Sequence, residues 1–206
     1  MFSVKKKFVL LVCLILAGLL CGCAGKDSGD AAPEKNVGSE TDETLSTEET
    51  KQEPTVVFEA QDMEGNTVTS DIFGQSRLTM INVWATYCNP CLSEMPELGE
   101  LAGEYDEGDF RLIGVISDVP EMTEGMVDAD KVEKAIEVAK SLIERTGADY
   151  THLLLNASLF NALLTDVTAV PTTFFVDEEG RVLGEVVGAR DKESWKKMID
   201  ALLEEL

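Results

Sequence analysis

Cys88-Asn89-Pro90-Cys91 is the part of the chain best equipped for chemistry. It follows the apolar run Leu78 to Ala85, which predicts a buried strand, and precedes a helical pattern from Leu92 onward. A C-x-x-C at a strand-to-helix junction puts its first sulfur at a helix N-terminus. Unpaired N–H groups and the positive end of the helix dipole stabilise a thiolate there. A thiolate attacks disulfides, and a second cysteine three residues on can resolve the mixed disulfide. Pro90 suits the first helical turn, where its missing N–H costs nothing. Two other chemistries fit poorly. A structural zinc site needs four ligands, and the one further candidate beyond the leader is His152. A c-type haem needs a histidine directly after the second cysteine, where the chain has Leu92. The reading is therefore metal-free, with the cysteine pair as the redox centre and no cofactor.

The remaining cysteines point to a compartment. Lys5-Lys6-Lys7 forms a basic start, and Phe8 to Leu20 is an apolar stretch short for a bilayer span. It ends in Leu20-Cys21-Gly22-Cys23, which resembles a bacterial lipobox. The resemblance implies a signal peptide over residues 1–22, with lipidation at Cys23. Cys21 fits less well, since the large Leu20 would stand at the cleavage position. Of the five cysteines, only Cys88 and Cys91 lie beyond the leader and its lipidation site. A pair so close in sequence closes a small loop and adds little stability, so working chemistry explains it better than a structural staple. Residues 23–54 read as a lipidated cysteine followed by an acidic tether, too poor in apolar residues to fold and spanning roughly 30 Å as a coil. Residues 55–206 are long enough for one domain with a proper core.

The full chain carries a formal charge of −22. The leader holds three lysines and no acid, so its removal takes the charge to −25. Such a field excludes nucleic acid as a partner and repels anionic head groups. Attachment to a membrane must then come from the lipid. Solubility accounts for the acidity; selection of basic substrates is the sharper alternative.

The elements that must position the cysteines follow from the pattern. Residues 55–60 and 67–69 predict two short strands around Gly65-Asn66. A central strand over 77–84 leads into a helix from Pro90 to about Tyr105, with Pro96 inside it. Residues 110–116 predict a second buried strand, and the apolar positions from Val132 to Ile143 recur at helical spacing. Residues 152–155 form a short strand, and Ser158 is placed as the cap of a short helix. Strands at 172–176 and 182–187 flank the turn Asp177-Glu178-Glu179-Gly180, and a helix closes the chain over 192–206. The result is an α/β fold with a central mixed sheet flanked by helices and an N-terminal β-hairpin extension.

This order, with Trp84-Ala85-Thr86-Tyr87 before the cysteines, Ser93-Glu94-Met95-Pro96 after them and Ala169-Val170-Pro171-Thr172-Thr173-Phe174 later, resembles the thioredoxin fold. More narrowly it resembles the TlpA/ResA-type thiol–disulfide oxidoreductases that act outside the cytoplasm. The resemblance implies that Cys88 attacks, Cys91 resolves, and Pro171 carries a cis peptide bond beside the pair. Val170 stands where relatives often have threonine, which removes a hydroxyl near the sulfur. Glu94 matches a glutamate thought to tune the cysteines and is placed to take the Cys91 proton; a solvated helix carboxylate is the plainer alternative. Asn82 replaces the buried aspartate of thioredoxins, so an aspartate relay is out of play. Trp84, Tyr87, Asn89, Pro90 and Val170 are the expected substrate contacts, with core packing an equal alternative for Trp84. His152 reads as structural. Met122 and Met126, in the acidic 118–130 loop, read as surface, with a substrate lip as the alternative.

The implied function is reduction of disulfides in exported proteins, apocytochrome c or methionine sulfoxide reductase among them, with a membrane thiol-transfer protein of the CcdA/DsbD kind as electron donor. A disulfide-forming oxidase differs only in reduction potential. A thiol peroxidase is a weaker alternative. Peroxiredoxins present P-x-x-x-T-x-x-C, whereas Thr86 stands two residues before Cys88 and no matching proline precedes it. A non-catalytic binding module would need neither both cysteines nor Pro171.

Overall fold

The computed structural model describes residues 54–119 and 128–206. The proposed signal peptide, Cys23, nearly all of the tether, and Met122 and Met126 lie outside the described residues. Five strands form the main sheet: β3 (Leu78–Trp84), β4 (Phe110–Ile116), β5 (Thr151–Leu154), β6 (Thr172–Asp177) and β7 (Val182–Val187), ordered β5-β4-β3-β6-β7. A separate hairpin of β1 (Glu59–Gln61) and β2 (Thr67–Thr69) precedes them. The helices are α1 (Asn89–Ala102), α2 (Ala129–Thr146), the single turn α3 (Ala157–Leu159) and α4 (Lys192–Glu205). This is the expected mixed sheet: β3 pairs parallel with β4 and antiparallel with β6.

Every residue of β3 is buried, as a central strand covered on both faces requires. One face joins Ile81 and Val83 to Val115, Phe174 and Val176. The other carries Trp84 into a cluster with Cys88, Cys91, Met95 and Ile116, and Leu78 and Met80 into one with Leu98, Phe175 and Trp195. Aligned β3 and β4 end together, at Trp84 paired with Ile116. The chain leaves β3 there and enters α1 through Cys88.

Two local expectations change. Residues 55–58 alternate in and out as a strand should, but they run against the β6–β7 turn: the Val56 N–H donates to Gly180 O at 2.8 Å, and Thr55 bridges Arg181. The hairpin strand begins only at Glu59. Ser158 does not cap the short helix. Asn156 does, accepting from the Leu159 N–H at 2.9 Å, while Ser158 Oγ accepts from the Glu59 N–H. An asparagine at the turn offers a longer acceptor arm and leaves the serine free to tie β1 down. The Asp177–Gly180 hairpin forms as expected, with buried Asp177 accepting from Arg181 Nε at 2.7 Å.

Candidate redox site

Cys88 is the N-cap of α1, and its sulfur accepts from the Cys91 N–H at 3.2 Å. The helix therefore aims its first free amides at the attacking sulfur, as the strand-to-helix junction implied. The two cysteines are joined, with an S–S distance of 2.04 Å and Cα atoms 5.3 Å apart. Their exposures differ: Cys88 keeps 6% and Cys91 none. Tyr87, Asn89 and Pro90 are exposed around the pair, Tyr87 to 73%.

Pro171 reaches the pair from the start of β6. The Val170–Pro171 bond is cis, and Val170 O lies 3.6 Å from the Cys88 sulfur. In the disulfide that contact carries no hydrogen; in the dithiol the carbonyl can accept one from Cys88. Val170 is half-buried and Pro171 is buried.

Trp84 departs from the expected substrate contacts. It is fully buried, and its indole Nε1–H donates to His152 Nδ1 at 3.2 Å. It lies beneath the redox pair, where it packs the site from below and touches no substrate. His152 completes this support. Its other nitrogen, Nε2, meets Ala148 O at 3.0 Å, which fixes the neutral ring with its proton on Nε2. Burial pulls its pKa down to about 4. Gly114, opposite His152 in the β4–β5 ladder, makes room for the ring: a Cβ there would fall 2.1 Å from Nδ1.

Glu94 is buried, at 3% exposure, which excludes the solvated alternative. Its Oε1 accepts from Asn82 Nδ2 at 3.0 Å, and its Oε2 from the Arg190 N–H at 3.1 Å. Asn82 also donates to Thr173 Oγ1. Burial raises the Glu94 pKa above the usual carboxylate range, against the lowering pull of those bonds, the nearby Trp195 indole and the Arg190 charge. The indole approaches Glu94 without closing a well-formed hydrogen bond. Asn82, noted at first only for what it replaced, is thus the residue that ties the carboxyl to the sheet.

Asp118 was missed. Its carboxylate accepts from the Thr86 N–H at 3.0 Å and from the Thr86 hydroxyl, pinning the loop that carries Tyr87 and Cys88. Its place just past the C-terminal end of β4, beside β3, was the available signal, because open α/β sheets gather their sites there.

A five-stranded mixed sheet carrying a helix-capping cysteine disulfide beside a cis-proline defines a thiol–disulfide oxidoreductase of the thioredoxin fold. The family pattern described as AhpC/TSA matches residues 51–184, and the chain belongs to that family. Thiol-disulfide oxidoreductase ResA of Bacillus anthracis is 26% identical over 137 residues, covering 66% of this chain and 69% of the relative. Thiol:disulfide interchange protein HelX of Rhodobacter capsulatus is 28% identical over 154 residues, covering 74% and 76%. Among solved structures, a thioredoxin-family thiol:disulfide interchange protein from Chlorobium tepidum TLS superposes with a TM-score of 0.59 at 22% identity, covering 73% of this chain and 96% of the other.

Proposed function

We propose that the protein reduces disulfides in exported proteins from a lipid anchor on the outer face of the cytoplasmic membrane. The observation that carries the chemistry is the asymmetry of the pair: a Cys88 sulfur at the α1 N-terminus that keeps a small exposure, above a fully sealed Cys91. The Cys88 thiolate attacks a substrate disulfide, forming a Cys88–substrate disulfide and releasing one substrate thiolate. Cys91 gives its proton to Glu94 and attacks the Cys88 sulfur, releasing the second substrate thiolate. Two electrons leave the dithiol, and the protein ends in the disulfide form. A membrane thiol-transfer protein of the CcdA/DsbD kind restores the dithiol. The cycle uses no metal or cofactor. Pro171 and Val170 offer backbone to an extended substrate segment; Tyr87, Asn89 and Pro90 supply the exposed rim. Apocytochrome c and methionine sulfoxide reductases are the client classes.

Cys88→Ser is expected to abolish reduction of a model disulfide, and Cys91→Ser to accumulate a mixed disulfide with the substrate. Full turnover in Cys91→Ser would rule out the dithiol cycle. The reduction potential decides direction: a strongly oxidising value would make the protein a disulfide-forming oxidase. Rapid peroxide turnover with weak disulfide reduction would support a peroxidase. Anchoring has its own test: Cys23→Ala should lose the lipid, and Cys21→Ala should keep it.

A further inference from the structure

The loop between β7 and α4 touches both sides of the redox pair. The Gly188 N–H donates to Pro171 O at 2.8 Å. Two residues on, the Arg190 N–H donates to Glu94 Oε2 at 3.1 Å. One short stretch of backbone therefore ties the proline beside Cys88 to the buried carboxyl of α1. The Arg190 side chain imposes the shape of that stretch. Its Nη1 donates to Gly188 O at 2.9 Å and Ala189 O at 2.8 Å, and its Nη2 to Val187 O at 3.2 Å. Three carbonyls converging on one planar fork is a geometry that guanidinium fits and ammonium does not. The turn needs Gly188 in the left-handed region, at φ +89°, and a Cβ there would lie 3.4 Å from Nη1. The guanidinium also acts on Glu94 through space, favouring its charged form. The other titratable groups near Glu94 are the Tyr150 phenol, which burial and the Glu94 charge keep neutral, and the cysteine pair. Asn82 and Trp195 are neutral donors.

We propose that Arg190 is a positioning residue of the redox site: its fork shapes the loop that holds Pro171 and Glu94 together, and so fixes the N–H that Glu94 Oε2 accepts as Glu94 takes the Cys91 proton. The second half rests on Glu94 acting as proton acceptor for Cys91. The first half makes Arg190 an organiser of two groups that meet from opposite ends of the sequence.

The test follows the Glu94 carboxyl in the oxidised full-length protein, where neither sulfur titrates. The infrared carbonyl band of protonated Glu94, assigned by its loss in Glu94→Gln, is titrated in wild type, Arg190→Gln and Arg190→Lys. Arg190→Gln should move the midpoint up, on the order of one pH unit. Arg190→Lys keeps the charge and loses the fork, so its midpoint should follow that of Arg190→Gln, with the melting temperature falling in both. An unmoved midpoint in Arg190→Gln overturns the proposal whatever happens to melting. A Lys variant that keeps the wild-type midpoint overturns the role of the fork. The Glu94 reading fails separately, if Glu94→Gln resolves a preformed mixed disulfide as fast as wild type.

Discussion

His152 and Glu94 are exposed to almost the same small extent, 4% and 3%, yet their surroundings treat them oppositely. Both ring nitrogens of His152 are engaged in one neutral tautomer, between the Trp84 N–H and the Ala148 carbonyl. Nothing about that arrangement improves if a proton arrives: a second ring proton would face the Trp84 donor. Around Glu94 the accounts stay open. Its oxygens accept from Asn82 and Arg190, but Asn82 Oδ1 and the nearby Trp195 indole nitrogen are buried with no hydrogen-bond partner among the described residues. A buried group whose neighbours are saturated serves as structure. A buried group whose neighbours are not saturated can change protonation state without breaking what holds it.

The strongest test of the His152 half is Gly114→Ala. The new Cβ would be driven into a ring pinned at both nitrogens, and overpacking of this kind costs about 2–3 kcal/mol. Urea unfolding should show that loss, with partial recovery when His152→Ala is added; a neutral Gly114→Ala would mean the ring is free to move.

The next effect sets the two residues against each other. His152 has a folded pKa of about 4 against 6.5 unfolded. Its contribution is intact above the unfolded pKa and is lost as pH falls from 6.5 toward 4, by about 3 kcal/mol in all. Glu94 has the opposite sign. Its folded pKa is raised by burial, so folding takes up a proton and stability from this group grows as pH falls toward 4.5. Stability measured against pH should lose the part of its decline between 6.5 and about 4 that belongs to His152 in His152→Gln, and lose the opposing gain in Glu94→Gln. Parallel curves for all three proteins would erase the contrast.

A smaller effect concerns thiol chemistry. In the reduced protein, Glu94→Gln removes a negative charge near the thiols wherever Glu94 is ionised. The alkylation profile should move to lower pH, by up to about one unit, as a property of the coupled pair. Superimposable profiles would leave Glu94 as structural as His152.

The smallest effect on stability belongs to the rim. Tyr87→Ala, at a fully solvated position, should change stability by less than about 0.5 kcal/mol while raising KM for a protein disulfide severalfold. A raised melting cost would make Tyr87 part of the packing.

Much of this was readable from the chain because the signals were local. The strand-to-helix junction at Cys88, the largely apolar runs of β3 and β4, and the Asp177–Gly180 turn each specify themselves within a few residues. Pro171 was identifiable through its neighbours. The burial of Glu94 was not. On α1 it occupies an ordinary helix position, and what seals it are Asn82, Arg190 and the Trp195 indole, brought in from β3, the β7–α4 loop and α4. Trp84 stayed undecided between packing and substrate contact for the same reason, since only the arrival of β5 with His152 shows that it faces inward. Asp118 holds the Thr86 backbone, and the Arg190 N–H meets the Glu94 carboxyl, both across long stretches of sequence, and no local spacing marks such pairs.

The β3–β6 ladder sets when this molecule can first work. Cys88 and Val170 are 82 residues apart, and they meet only when Val83 pairs with Thr172 and Leu78 with Asp177. The β3–β4 pairing closes a much shorter loop and is favoured earlier, because loop-closure entropy and contact separation slow the distant ladder. During folding the cysteine pair is therefore present on a partial sheet before its proline arrives. Competence needs this long-range pairing, so the appearance of disulfide-exchange activity during refolding should report formation of the β3–β6 ladder.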